Sequence, residues 1–213
     1  MAAVHGQGGG PRLLRLTLLG VGAMNSPRYA PAGLLVRFGR TSVAFDGGPG
    51  AEPFVGVDAW LVTDESAELR AALRRLAAAR DLMLVVARHE AGGLTIDPLP
   101  VVHTAHPTVG YRITAGSRCV VWAPEFWQFP AWAAGADLMF ADAAGWSRAI
   151  HFRGGVGGHA DVLRTAADAA AAGVARMVYA HIGRPSIRAI DAGLTPPGGE
   201  WGIEGRTYHL RVP

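Results

Sequence analysis

Two spacings of apolar residues run along this chain, and they define the expected elements. Strand-type runs come first. "LLRLTLLGVGAM" (13–24) reads as a strand that ends in glycine-rich turn material, and "AGLLVRFGRTSVAFDGGPG" (32–50) as two strands around "FGRT", with Asp46 closing the second. "VDAWLVTD" (57–64) is a further buried strand. The spacing then changes: over 65–81, Leu69, Leu73 and Leu76 recur at helical intervals with arginines between them, and Asp64 or Ser66 is placed to cap the helix. The second half repeats the plan. "LMLVVAR" (82–88), "LTIDPLPVVHT" (94–104), the pair within "VGYRITAGSRCVVWAPE" (109–125), "DLMFADAA" (137–144) and "RMVYAHI" (176–182) read as strands. "ADVLRTAADAAAAGVA" (160–175) reads as a helix ending near Gly173, and "RTYHLRVP" (206–213) as a closing edge strand. Two strand-rich halves with few helices predict an α/β (α+β) architecture, a four-layer αββα sandwich.

Composition supports a packed core. Of 213 residues, 50% are hydrophobic and 17% charged, which fits a globular domain and not a disordered chain. All 20 basic residues are arginine, a pattern first attributable to a GC-rich genome. The net charge of +3 permits an anionic substrate, but the basic clusters of a nucleic-acid-coating protein are missing, so nucleic acid is not the expected partner. A single cysteine, Cys119, allows neither an internal disulfide nor a thiolate zinc site and suits a reducing cytoplasm. No apolar run reaches the roughly 20 residues of a membrane span. "MAAVHGQGGGPR" has no long apolar segment of the secretory type. Residues 1–12, His5 among them, are expected to be a flexible tail, and 13–213 a single domain.

The order of these pieces, over roughly residues 13–190, resembles the metallo-β-lactamase fold. Within that fold it is most similar to ribonuclease Z-type enzymes and to the cyclic phosphodiesterase of phosphonate breakdown. The opening hairpin with its Asp46 loop, "LPVVHTAHPTVGYRI", "CVVWAPEF", "GGHADVL" and "RMVYAHIGRP" carry the likeness. One piece departs from it. Where the family has His-x-His-x-Asp-His, this chain has Asp64, Glu65, Ser66, Ala67, Glu68 and Leu69. Glu125 likewise stands where the family carries its metal-bridging aspartate.

The resemblance implies a metal site made of His103, Glu125 and His181, with Asp64 and Glu68 as further ligands. Two imidazoles and a carboxylate suit one Zn, Mn or Fe ion, and the added carboxylates favour a harder ion such as Mn²⁺. The usual dinuclear zinc pair is not expected with this donor set. In the family, the equivalent of His159 assists the leaving group, which makes His159 the candidate general acid, with Glu125 and Asp64 as further catalytic candidates. Bland readings stand beside these. His159 also suits a helix cap, His103 and His181 rim positions, and His106 a plain loop, although it could substitute as a ligand; His151 could face the same cleft. Trp122, Phe126, Trp127, Phe129 and Trp132 surround Glu125 in sequence. They could raise its pKa by desolvation, wall a pocket, or form core or a homodimer surface. The resemblance makes Asp46 a candidate support for a metal ligand and places Asp142 near the active site without a defined role, and Arg153, Arg184 and Arg188 are candidate anion clamps.

Three functions follow. The first is a hydrolase with a reduced or rearranged metal site that acts on a small phosphodiester or other ester. The second is a non-catalytic relative that binds a ligand or a protein. The third is metal-free acid–base chemistry on Glu125, Asp64 and His159.

Overall fold

The computed structural model describes residues 12–213. The expected tail, with His5, lies outside the described residues, except that Arg12 already belongs to the first strand. In chain order the elements are β1 (Arg12–Gly20), β2 (Gly33–Phe38), β3 (Thr41–Asp46), β4 (Ala59–Leu61), α1 (Arg70–Ala78), β5 (Leu84–Val85), β6 (His89–Ala91), β7 (Leu94–Val101), β8 (Thr108–Ala115), β9 (Arg118–Ala123) and β10 (Leu138–Ala143). There follow β11 (Ile150–His151), β12 (Gly158–His159), α2 (Val162–Ala171), β13 (Met177–Ile182), α3 (Arg184–Asp191), β14 (Gly199–Trp201) and β15 (Thr207–Val212). One sheet runs β15-β1-β2-β3-β4-β5, with the closing strand at its edge, and the other runs β14-β13-β10-β9-β8-β7-β6. β11 and β12 form a separate antiparallel pair.

Strand alternation sorts the side chains into layers. Val43, Phe45 and Leu61 face the large core between the sheets. Ala44, Trp60 and Val62, on the opposite face of the same strands, pack with Leu73 and Ala77 of α1. On the second sheet, Val162, Ala166 and Ala169 of α2 join the large core beside β10 and β13. The order is helix, sheet, sheet, helix, as the two hydrophobic spacings predict. No helix among the described residues is long and apolar enough to cross a membrane.

The first helix is shorter than its periodicity predicts, because its intended caps are engaged elsewhere. The Asp64 carboxylate accepts the Ser66 backbone N–H at 2.7 Å, closing a turn, and Glu65 accepts the Val86 N–H at 2.8 Å. The helix therefore starts at Arg70, and Leu69 at its N-cap offers no side-chain bond. The strand expected over 82–88 shrinks to Leu84–Val85, and α3 was not foreseen. In α2, by contrast, Asp161 accepts the Arg164 N–H at 2.9 Å, a regular N-cap. Asp161→Ala should lower stability by about 1 kcal/mol in urea denaturation without moving the helix. An unchanged midpoint would show that this cap is not part of the folding free energy.

Candidate active site

Four loops that leave the second sheet meet one loop from the first. His103 follows β7, Glu125 follows β9, Asp142 lies in β10, His159 in β12 and His181 in β13. A register shift re-aims His181. Ala141 pairs with Tyr179 and Ala143 with Ile182, so β13 carries one residue more than β10 in this interval. His181 takes up the irregularity with φ of 58°, a left-handed conformation that a non-glycine residue adopts at a free-energy cost. Asp46 is strained in the same sense, at φ 45°.

Glu125 stands at the centre. One carboxylate oxygen is 3.2 Å from His103 Nε2 and the other 2.7 Å from His181 Nε2. His103 Nδ1–H donates to the Gly158 carbonyl at 2.9 Å, which fixes the ring and leaves Nε2 toward Glu125. Asp142, fully buried, accepts from the backbone N–H of Ala144 at 2.8 Å, from that of Phe126 at 3.1 Å and from His159 Nδ1–H at 2.7 Å. His181 Nδ1 lies 3.6 Å from Asp142, too far for a hydrogen bond, and is a buried nitrogen with no partner. The three rings pack together: His159 stacks on His181 at 5.0 Å and tilts against His103 at 4.7 Å. Among the described residues, Asp142, His159 and His181 form a group whose ligand atoms lie within 4.8 Å of one another, close enough to hold a metal ion.

The Gly-rich approach to His159 needs Gly157 and Gly158 for space. A Cβ on Gly157 would collide with the His103 carbonyl, and one on Gly158 with the Ile150 carbonyl. That contact closes through Gly158 N–H donating to His103 C=O at 2.9 Å. The bare backbone thus holds the His103 loop against the His159 strand.

The substituted loop is also present, but differently engaged. Asp64 is buried, and its carboxylate is 2.7 Å from His106 Nε2. Residues 64 and 106 therefore pair across the mouth of a cavity of about 300 Å³ that Glu68, His103, Glu125, His159 and His181 also line. Of the expected ligands, only His181 falls within the group with Asp142 and His159; among the described residues His103, Glu125, Asp64 and Glu68 do not belong to a set of three donors so close together. Glu68 is exposed, and Leu69 turns instead into a small cavity of about 60 Å³ beside Glu125 and His181. His151 is exposed and packs edge-on against Trp127 at 5.1 Å. Arg153, Arg184 and Arg188 are exposed as well. Sequence reasoning gave His106 no clear task, and nothing local could have done so, since its partner is 42 residues away.

The electrostatics correct one expectation. Burial does push the Glu125 carboxyl upward, but His181 and His103 against it prevail and hold it well below the usual range. Phe126 and Trp122 are core residues; Trp122 turns its indole N–H to Asp46 at 2.7 Å and does not wall the cavity. Burial opposes charge on Asp142 too, and His159 and His181 bring it down to about 2. For His181, burial favours the neutral ring, but Glu125 and Asp142 raise its pKa to about 10. Burial also lowers His103, and Glu125 reverses this, for a net upward shift.

No protein-family model matches the sequence, and no curated protein matches it. Solved structures do match. The chain is similar to the metallo-β-lactamase fold protein YhfI from Bacillus subtilis, at 17% identity over 93% of this chain and 100% of that one, with a TM-score of 0.74. It is similar to Zn²⁺-bound PqqB from Methylobacterium extorquens, at 16% identity over 92% and 100%, with a TM-score of 0.70. A diphosphatase of the PhnP family matches at 16% identity over 94% and 98%, with a TM-score of 0.69. The fold is the metallo-β-lactamase fold, as the order of the sequence motifs implies.

A raised imidazole pKa has a definite sign in stability. From an ordinary 6.5, His181 rises to about 10, so its stabilising contribution is complete below pH 6.5 and is lost as pH climbs through about 10. Chelator-treated protein should therefore lose stability to urea over that interval, and His181→Gln should flatten the loss. The same slope in the variant would show that His181 is not protonated in the folded state.

Proposed function

We propose that this chain is a hydrolase of the metallo-β-lactamase fold that works with one divalent metal ion on a small phosphodiester or another ester. The observation that carries this reading is the convergence of His103 Nε2 and His181 Nε2 on the Glu125 carboxylate, at 3.2 and 2.7 Å. These three residues would hold the ion. Two imidazoles and one carboxylate suit Zn, Mn or Fe. The likeness to a zinc-bound protein and to a diphosphatase of this fold supports the assignment. Asp142 is better suited to holding His159 in place than to binding metal directly, because two backbone N–H groups and the His159 ring already occupy its oxygens. Leu69, turned into an apolar cavity where the family motif would supply an imidazole, argues against a second ion.

When bound, a divalent ion would acidify a water molecule and take up charge on the ester oxygen. The chain's own residues do the rest. Asp142 binds His159 Nδ1–H and so fixes the ring, leaving His159 Nε2 to deliver a proton to the leaving group. His103 is fixed in the same way by the Gly158 carbonyl. A cavity of about 300 Å³ suits a small anionic or ester substrate and not a structured nucleic acid. Asp64 belongs in this scheme as the partner of His106 at the cavity mouth.

Protein purified without chelator or affinity tag should carry about one equivalent of Zn, Mn or Fe by elemental mass spectrometry, lost in His103→Ala/His181→Ala. With bis(4-nitrophenyl) phosphate or a 4-nitrophenyl ester as substrate, His159→Gln should lower kcat by about 10²–10⁴-fold with the metal retained. Protein that holds no metal and takes none up would overturn the metallohydrolase and favour a ligand-binding role for the cavity.

A further inference from the structure

A second pocket, of about 500 Å³, lies between residues 146–150 and α3. It shares framework with the candidate active site at two points. Ile150, which lines it, pairs with His159 across β11 and β12, and α3 begins three residues after His181. Nothing in the proposed hydrolysis uses it.

Its construction is specific. Ile150, Ala189 and Leu194 make an apolar floor. Trp146 forms one side, and its ring lies 5.6 Å from that of Trp201. The Trp201 indole N–H donates to the Leu194 carbonyl at 2.9 Å, so side and floor are tied together before any ligand arrives. Arg148 and Arg188 line the pocket from its two walls, and both are exposed. Neither has an ion-pair partner among the described residues. The acid on the same helix, Asp191, is engaged by Arg28 at 2.9 Å. Two uncompensated guanidinium groups thus flank an apolar, indole-walled recess.

We infer that this pocket binds an aryl phosphate, the ring against Trp146 and the phosphate between Arg148 and Arg188. Guanidinium groups match phosphate oxygens in fork geometry, and two of them on separate elements suit a group with several acceptors better than a carboxylate. An indole face and an aliphatic floor accept a flat ring. The inference does not depend on a metal ion or on hydrolysis.

Phenylphosphonate, which carries no ester to cleave, is the probe. Titration calorimetry on the full chain as purified should give saturable binding that Arg148→Gln and Arg188→Gln each weaken by about tenfold or more. Binding should persist in His103→Ala/His181→Ala, which removes the cavity's own ligands. Methylphosphonate, without the ring, and benzoate, without the phosphonate, should both bind more weakly. Absence of saturable binding, indifference to both arginine changes, loss in the histidine double variant, or equal binding of methylphosphonate or benzoate would each overturn the assignment. The arginines are exposed, so their variants test the site without threatening the fold.

Discussion

A half-buried carboxylate at the end of β3 joins the two sheets and places what lies beyond them. Asp46 accepts from the Thr63 N–H at 2.8 Å and the Thr63 hydroxyl at 3.0 Å with one oxygen, and from the Trp122 indole N–H at 2.7 Å with the other. Its carbonyl takes the Trp60 indole N–H at 2.8 Å. Thr63 immediately precedes Asp64, and Trp122 stands three residues before Glu125. One residue therefore fixes both the loop that departs from the family motif and the carboxylate at the centre of the cluster. Burial of Asp46 outweighs these donors and raises its pKa to about 6. A strained, largely desolvated aspartate is costly to keep at the junction of two sheets. Its position between the sheets shows what the cost secures: two strand systems held so that the cavity lies at their junction.

Much of the fold was legible because strand alternation is a local signal. The pattern in "TSVAFD" and "AWLV" already separates Val43, Phe45 and Leu61 from Ala44, Trp60 and Val62, and these two sets do occupy different layers. The loss of the first turn of α1 was less visible. The same acids that favour a helix start also bond to nearby backbone, and the competition was decided by Val86 and Ser66, whose backbone N–H groups donate to Glu65 and Asp64. The α3 helix was hidden for another reason: "RPSIRAID" begins with an arginine and a proline directly after a strand and reads as loop.

At the candidate site, the sequence indicated His103, Glu125 and His181 because each ends or follows an apolar run in the family order, and His159 because it follows a glycine-rich run before a helix. The structure gathers all four round one cavity. The sequence could not show that Asp142 would orient His159, since "DLMFADAA" is a uniformly buried strand and His159 reaches residue 142 from a separate pair of strands. Nor could it pair Asp64 with His106. That contact joins the loop after β4 to the loop after β7, and no periodicity spans such a distance.

The balance of charge in the cluster explains why the altered loop need not mean a lost function. Glu125 and Asp142 are both held ionised, and they face His103, His159 and His181. With His181 raised to about 10, a proton there offsets part of this negative charge when no cation is present. On the proposed reading a bound metal ion would supply that positive charge in place of the His181 proton, and its affinity would rise with pH. The acids of the 64–69 loop stay outside this exchange: Asp64 is matched by His106, and Glu68 faces solvent. The pairing keeps Asp64 apart from the Glu125 and Asp142 carboxylates, which His103, His159 and His181 face.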